Sequence, residues 1–282
     1  MKTILIPTDF SDTAKEAFKY GVRLAQRIKA SVKVVHIIQE NLVDLNTDDY
    51  VLTDTVAVKE ALKTFATLSP TSRMGVLPNI ETQYYACKGE IGDKIIELSK
   101  CATIDVVVMG STGENQVLDK WFGTVSSYVA QNAFCPVLLV PNDTIYRNPQ
   151  RLLFAHNLDQ PNHTATLERV VFIAKCFEAK VHNLYVNTHG GQDKEIEQLV
   201  NREWGLFESE RFSFKTVIVK RKSILDSIQS YAIAHRIDMV LIFTHHRPFL
   251  QQVFRESLTK QIALAPKVPT LILHLEDKFS LF

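Results

Sequence analysis

The feature that most constrains this chain is that it repeats itself. Ile104-Asp105-Val106-Val107-Val108-Met109 is answered 133 residues later by Ile237-Asp238-Met239-Val240-Leu241-Ile242. Cys135-Pro136-Val137-Leu138-Leu139-Val140 recurs as Val268-Pro269-Thr270-Leu271-Ile272-Leu273 at the same separation, and Ile91 and Ile95 stand opposite Ile224 and Ile228. Nearer the start the register drifts: Leu24-Ala25 answers Ile173-Ala174 at 149, so the first half carries sixteen more residues between its second strand and its third helix. A repeat of this period means one fold built twice, and 282 residues suffice for two domains of ordinary size. The expected units are residues 1–145 and 149–282, joined by the Pro141-Asn142-Asp143 turn and Arg147-Asn148-Pro149.

Each unit alternates strand and helix. Lys2 to Pro7 is an apolar, β-rich run, and Ser11 or Asp12 caps a helix whose apolar positions Ala14, Ala17, Phe18, Val22 and Ala25 recur at helical spacing. Strands follow at Val32 to Ile38, Ile80 to Ala86, Val106 to Met109 and Pro136 to Val140, with helices at Thr53 to Leu68, Ile91 to Cys101 and Ser126 to Ala133. Runs apolar on both faces, such as Val106 to Met109, belong in a parallel sheet covered by helices on both sides. The expected class is α/β: two tandem doubly wound domains, each a five-stranded parallel sheet, Rossmann-like. Two apolar runs, Val137 to Val140 and Thr270 to Leu275, are edge strands suited to pairing within the chain.

Bulk composition is that of an ordinary globular chain, with 46% hydrophobic and 22% charged residues. A net charge of +1 gives no reason to expect a nucleic-acid partner. The apolar start is too short for a leader or a membrane span, so a cytoplasmic protein with no membrane partner is expected. Four scattered cysteines without a CxxC pair argue against a zinc ribbon or disulfide framework and suggest buried free thiols.

Directly after the fourth strand comes Gly110-Ser111-Thr112-Gly113, then nine residues, then Gly123-Thr124-Val125-Ser126 opening the last helix. These residues suit phosphate. Glycines let backbone amides approach an anion, the hydroxyls of Ser111, Thr124 and Ser126 add donors, and a helix N-terminus presents unpaired N–H groups.

In these positions the chain resembles the universal stress protein family, as two tandem copies. The family's ATP-binding subgroup has the motif G-x2-G-x9-G-[ST], which Gly110, Gly113, Gly123 and Thr124 match at every spacing. The first-strand run Ile6-Pro7-Thr8-Asp9-Phe10-Ser11 and the second-strand ending Val35-His36-Ile37 agree as well. The resemblance implies ATP, or ADP or AMP, bound in the first domain. Pro7, Thr8 and Asp9 would contribute from the first strand, with Asp9 facing the ribose and a nucleotide-bound Mg, and the backbone of Ile37 would meet adenine. Gly89 would lie beside the nucleotide, Met109 and Val125 would line the pocket, and Gly110, Ser111, Gly113, Gly123, Thr124 and Ser126 would hold the phosphates. As a plain alternative, Asp9 is a turn or capping aspartate.

There is no Walker A loop, and Lys120 is the only cation in the 110–126 loop. Binding with slow turnover at most is expected: a nucleotide-responsive stress or signalling protein. A slow ATP hydrolase or nucleotidyl-transfer enzyme is the alternative. On the 133 diagonal Gly110 becomes Phe243, Gly113 His246, Gly123 Glu256 and Thr124 Ser257, while Asn157 stands opposite Asp9. Phe243 would fill volume the backbone approach needs, and Glu256 would put a carboxylate where phosphate should go. One nucleotide per chain is the expectation. His156, His245 and His246 form at best a weak metal set, and no resident metal is expected. Asp44, Asp48 and Asp49 are either a lid or a solvated connection. The two domains would pair as an internal pseudo-dimer, with further homodimerisation left open.

Overall fold

The computed structural model describes residues 2–39, 55–68, 80–111, 125–142, 144–156, 163–187, 198, 202, 204–205, 214–220, 224–244 and 268–274. In the first half β1 (Thr3–Pro7), α1 (Asp12–Ile28), β2 (Ser31–Ile38), α2 (Thr55–Leu68), β3 (Thr82–Lys88), α3 (Ile91–Ser99), β4 (Val106–Gly110), α4 (Val125–Asn132) and β5 (Val137–Val140) follow in order. The second half continues with β6 (Arg151–His156), α5 (His163–Phe177), β7 (Lys180–Asn187), β8 (Phe214–Lys220), α6 (Ile224–Ala234), β9 (Met239–Thr244) and β10 (Thr270–His274).

The ten described strands form one sheet in the order β3-β2-β1-β4-β5-β10-β9-β6-β7-β8. Each half is parallel within itself and has the same strand order, reversing between β1 and β4 and again between β6 and β9. The join is antiparallel, with Val137 beside Ile272, Leu138 beside Leu271 and Leu139 beside Thr270. Leu138 and Leu271 are counterparts on the 133 diagonal, so each half meets the other through the same residues, as an isologous contact requires.

Two apolar layers cover the sheet. Ile4, Ile6, Val32, Val34, Val106 and Val108 face α1 and α2, and the layer continues through Leu152, Phe154, Val181 and Leu241 against α5. The alternate residues Leu5, Val35, Val107, Leu139, Leu153 and Val240 face α3, α4 and α6. Period-two alternation on doubly buried strands therefore produces a doubly wound fold.

Local devices are duplicated as well. Asp105 accepts the backbone N–H of Thr3 at 2.7 Å, and its counterpart Asp238 accepts those of Gln150 and Arg151 at 3.0 and 2.9 Å, tying the start of each half's first strand to its fourth. The chain leaves α1 at Lys29 and α5 at Glu178, 149 residues on, both left-handed at φ 56°, a turn made twice without glycine.

The linker is anchored. Thr13 Oγ1 donates to Asn142 at 2.6 Å, Tyr146 packs edge-on against Tyr20 at 4.9 Å, and Arg27 donates to Asn148 at 3.0 Å and to the Cys176 carbonyl at 3.0 Å. Burial raises the Tyr146 phenol to about 12 and pushes that of Tyr20 further still. Across the join, His274 is fully buried and its Nε2–H donates to the Ala130 carbonyl near the end of α4 at 3.0 Å. All four cysteines are free, but only Cys135 is buried; Cys101 is exposed and Cys87 and Cys176 are half-buried, which corrects the expectation of uniformly buried thiols. Among the described residues no helix is long and apolar enough to cross a membrane.

Candidate site at the strand-order reversal

In a doubly wound sheet, the helices after two neighbouring strands leave to opposite faces where strand order reverses, opening a crevice at the strands' carboxyl ends. In the first half that point lies between β1 and β4, and a cleft of about 310 Å³ opens there. Pro7, Thr8 and Asp9 bring the end of β1 to it, Ile37 the end of β2, Met109 and Gly110 the end of β4, and Val125 and Ser126 the first turn of α4. These eight are sequence-predicted site residues. The volume is at the lower end of small-molecule sites.

Gly110 has a reason in the fold itself. A Cβ there would stand 2.4 Å from Thr13 Cγ2 and 2.9 Å from the Thr13 carbonyl oxygen, because the first turn of α1 crosses the end of β4. The contact brings the N-terminal turn of α1 to the cleft, where Ser11, Thr13 and Ala14 line the wall. Ser11 caps α1 by accepting the Ala14 N–H at 3.2 Å. Asp9 accepts the Ser11 N–H at 3.0 Å, so one carboxylate oxygen serves the turn and the exposed side chain retains a second. Turn residue and cleft residue are thus both true of Asp9.

His36 and Phe10 add a feature the sequence did not reveal. A carbonyl only accepts, so the 2.8 Å contact with the Thr8 oxygen puts a proton on His36 Nδ1 and leaves Nε2 an acceptor when the ring is neutral. Phe10 sits at φ 65°, left-handed for an aromatic residue, with its ring 4.8 Å from His36 and 5.7 Å from Phe65. From α3, Ile91 and Ile95 close the apolar side. Among the described lining residues Asp9 is the only carboxylate, and neither lysine nor arginine is present.

Other expected residues lie elsewhere. Ser111 is buried behind β4, with its N–H and hydroxyl both directed to the Val140 carbonyl, at 3.0 and 3.4 Å. Gly89 is not on the cleft wall; its N–H bonds the Ile38 carbonyl at 3.1 Å and its φ of +143° demands glycine. Gly113, Gly123 and Thr124 lie outside the described residues, as do Asp44, Asp48, Asp49, Asn157, His245, His246, Glu256 and Ser257.

In the second half Phe243 occupies the position of Gly110. Its ring is 4% exposed within the layer beneath α5, edge-on to Phe154 at 5.6 Å. It lies in the same layer as the side from which Thr13 approaches Gly110 in the first half.

A sequence model of the universal stress protein family matches residues 1–141. Universal stress protein MJ0531 of Methanocaldococcus jannaschii is 28% identical over 141 residues, covering 49% of this chain and 81% of that protein. Universal stress protein Rv2624c of Mycobacterium tuberculosis is 25% identical over 205 residues, 72% of this chain and 70% of its own length. The crystal structure of a universal stress protein from Archaeoglobus fulgidus superimposes over 96% of both chains with a TM-score of 0.73 at 17% identity, a likeness of fold.

Proposed function

The chain belongs to the universal stress protein family, and from that premise we propose that its N-terminal half binds an adenine nucleotide, ATP foremost, at the ends of β1 and β4. The observation that carries the reading is the convergence of Pro7, Thr8, Asp9, Met109 and Gly110 with the first turn of α4 on one crevice. An adenine ring fits the apolar wall of Ile37, Ile91, Ile95 and Met109, with the Nε2 lone pair of His36 nearby as an acceptor. Phosphates belong with the N–H groups that open α4 and with Gly113, Gly123 and Thr124. Since the described wall carries a carboxylate and no cation, a triphosphate entering it brings Mg, which the free oxygen of Asp9 can meet.

The same wall offers no charge clamp for a leaving phosphate, which favours a nucleotide-responsive stress or signalling protein with slow turnover at most over a hydrolase. Residues 1–145 and 149–282 are then two domains, paired as a pseudo-dimer through β5 and β10, with one nucleotide per chain. Mass spectrometry of ligand released from the purified protein tests the reading. Adenine nucleotide at one equivalent is expected, and its loss in Gly123→Glu, the second half's own residue, with the fold retained. Two equivalent sites by calorimetry, or full binding by the variant, would overturn it.

A further inference from the structure

We propose that the N-terminal edges of β6, β7 and β8 form a second anion site, taking the phosphate or sulfate group of a small molecule between Arg151, Lys180, His182 and Lys215. It does not rest on the nucleotide reading. Strand register creates the site: Arg151 stands beside Lys180 and His182 beside Lys215, on the face shared with α6. Like charges directly opposite on neighbouring strands destabilise a sheet, yet Arg151 and Lys180 are such a pair, and the adjoining pair sets Lys215 beside the His182 imidazole. The first half has no such ladder, because the corresponding positions are Thr3, Ser31, Lys33 and Gln83, the first two joined by a hydroxyl contact of 3.1 Å.

Among the described residues no acid forms an ion pair with the cluster, and Arg151, Lys180 and Lys215 are exposed. Asp238, close by, already accepts two backbone N–H groups through one oxygen. The end of α6 answers Arg151 alone, through the His235 carbonyl at 3.3 Å. His182 is half-buried, 2.9 Å from the Tyr231 hydroxyl and 5.8 Å ring to ring from His235. Burial, then His235, Lys215, Arg151 and Lys180, hold its imidazole below the usual histidine range.

An oxyanion in this strip reverses the unfavourable charge terms and gives His182 reason to take up a proton. Three strands span roughly 10 Å, room for one or two phosphoryl groups rather than a protein-sized footprint. From β4 to β7 is five strand steps, about 24 Å, too far for one nucleotide to fill this strip and the cleft together.

The test follows the His182 imidazole by NMR in the full chain, titrating pH with sulfate, whose charge is constant from pH 5.5 to 8, against chloride at equal ionic strength. Sulfate is expected to raise the His182 midpoint by about one unit, corresponding to roughly tenfold tighter binding to the protonated form. Lys180→Ser with Lys215→Gln, the first half's residues, is expected to abolish that shift. The proposal fails if chloride moves the midpoint equally, if the double variant keeps the full shift, or if only a polyglutamate peptide or an RNA oligonucleotide moves it.

Discussion

The end of β4 and the end of β9 are the same place in two copies of one fold, resolved differently. At Gly110 the backbone of α1 comes against the strand, and its first turn lines a cleft. At Phe243 a ring joins the corresponding apolar layer under α5. A single position exchanges close backbone approach for buried side-chain area, so the second half gains core where the first half keeps a cleft. The strongest break to that comparison is Phe243→Ala. Emptying a 4% exposed aromatic site should cost about 3–5 kcal/mol in urea unfolding. A cost below about 1 kcal/mol would mean that the ring is not core and that the two ends differ for another reason.

The reciprocal change is Gly110→Ala, with a smaller effect. One methyl group meets the Thr13 carbonyl oxygen as well as its flexible end, so α1 must shift, at about 1–3 kcal/mol. Weakened nucleotide binding should accompany it, since Thr13 and Ser11 stand on the cleft wall. Wild-type stability together with wild-type nucleotide affinity would break the link between helix approach and cleft.

How much of this could be read from the residues depends on the length scale of each signal. The repeat and the doubly wound class were legible because β4 and β5 are short apolar runs followed by turn residues, and β9 and β10 repeat those runs 133 residues on, signals confined to a few neighbours. Asp9, Met109 and Gly110 were legible as strand ends. Thr13, Ile91 and Ile95 were not: on α1 and α3 a cleft-lining residue has the same helical spacing as a core residue. The reason for Gly110 lies 97 residues away at Thr13, and the basic ladder joins strand starts at Arg151, Lys180 and Lys215 that meet only through pairing register. Nor does composition foretell that Phe10 adopts φ 65° to reach His36.

The central strands carry a second contrast. Val34 in β2 lies in the apolar layer, whereas its counterpart Asn183 in β7 is fully buried there with neither amide atom paired among the described residues. Thr216, beside it in register, has an unpaired hydroxyl as well. A buried amide without partners costs about 1–3 kcal/mol, so Asn183→Val, the first half's residue, should stabilise the chain by about 1 kcal/mol in the urea midpoint. Destabilisation instead would show that the amide has a partner, water or ligand, which Val34 never needs.

The smallest effect expected is on pH dependence, and it separates the two halves at β2 and β7, where Lys33 stands opposite His182. The imidazole is held below its usual range first by burial and then by His235, Lys215, Arg151 and Lys180. A folded pKa lower than the unfolded one, near 6.5, means that folding favours the neutral ring. Its contribution is therefore complete above about 6.5 and is lost as pH falls through the depressed folded value. In chloride, wild type should lose stability relative to His182→Gln between pH 7.5 and 5.5, modestly, because the ring is only half-buried and solvent screens its neighbours. Sulfate should reduce that loss, since an anion among Arg151, Lys180 and Lys215 favours the protonated ring. Parallel pH profiles in wild type and variant would remove the electrostatic strain on which the contrast between Lys33 and His182 depends.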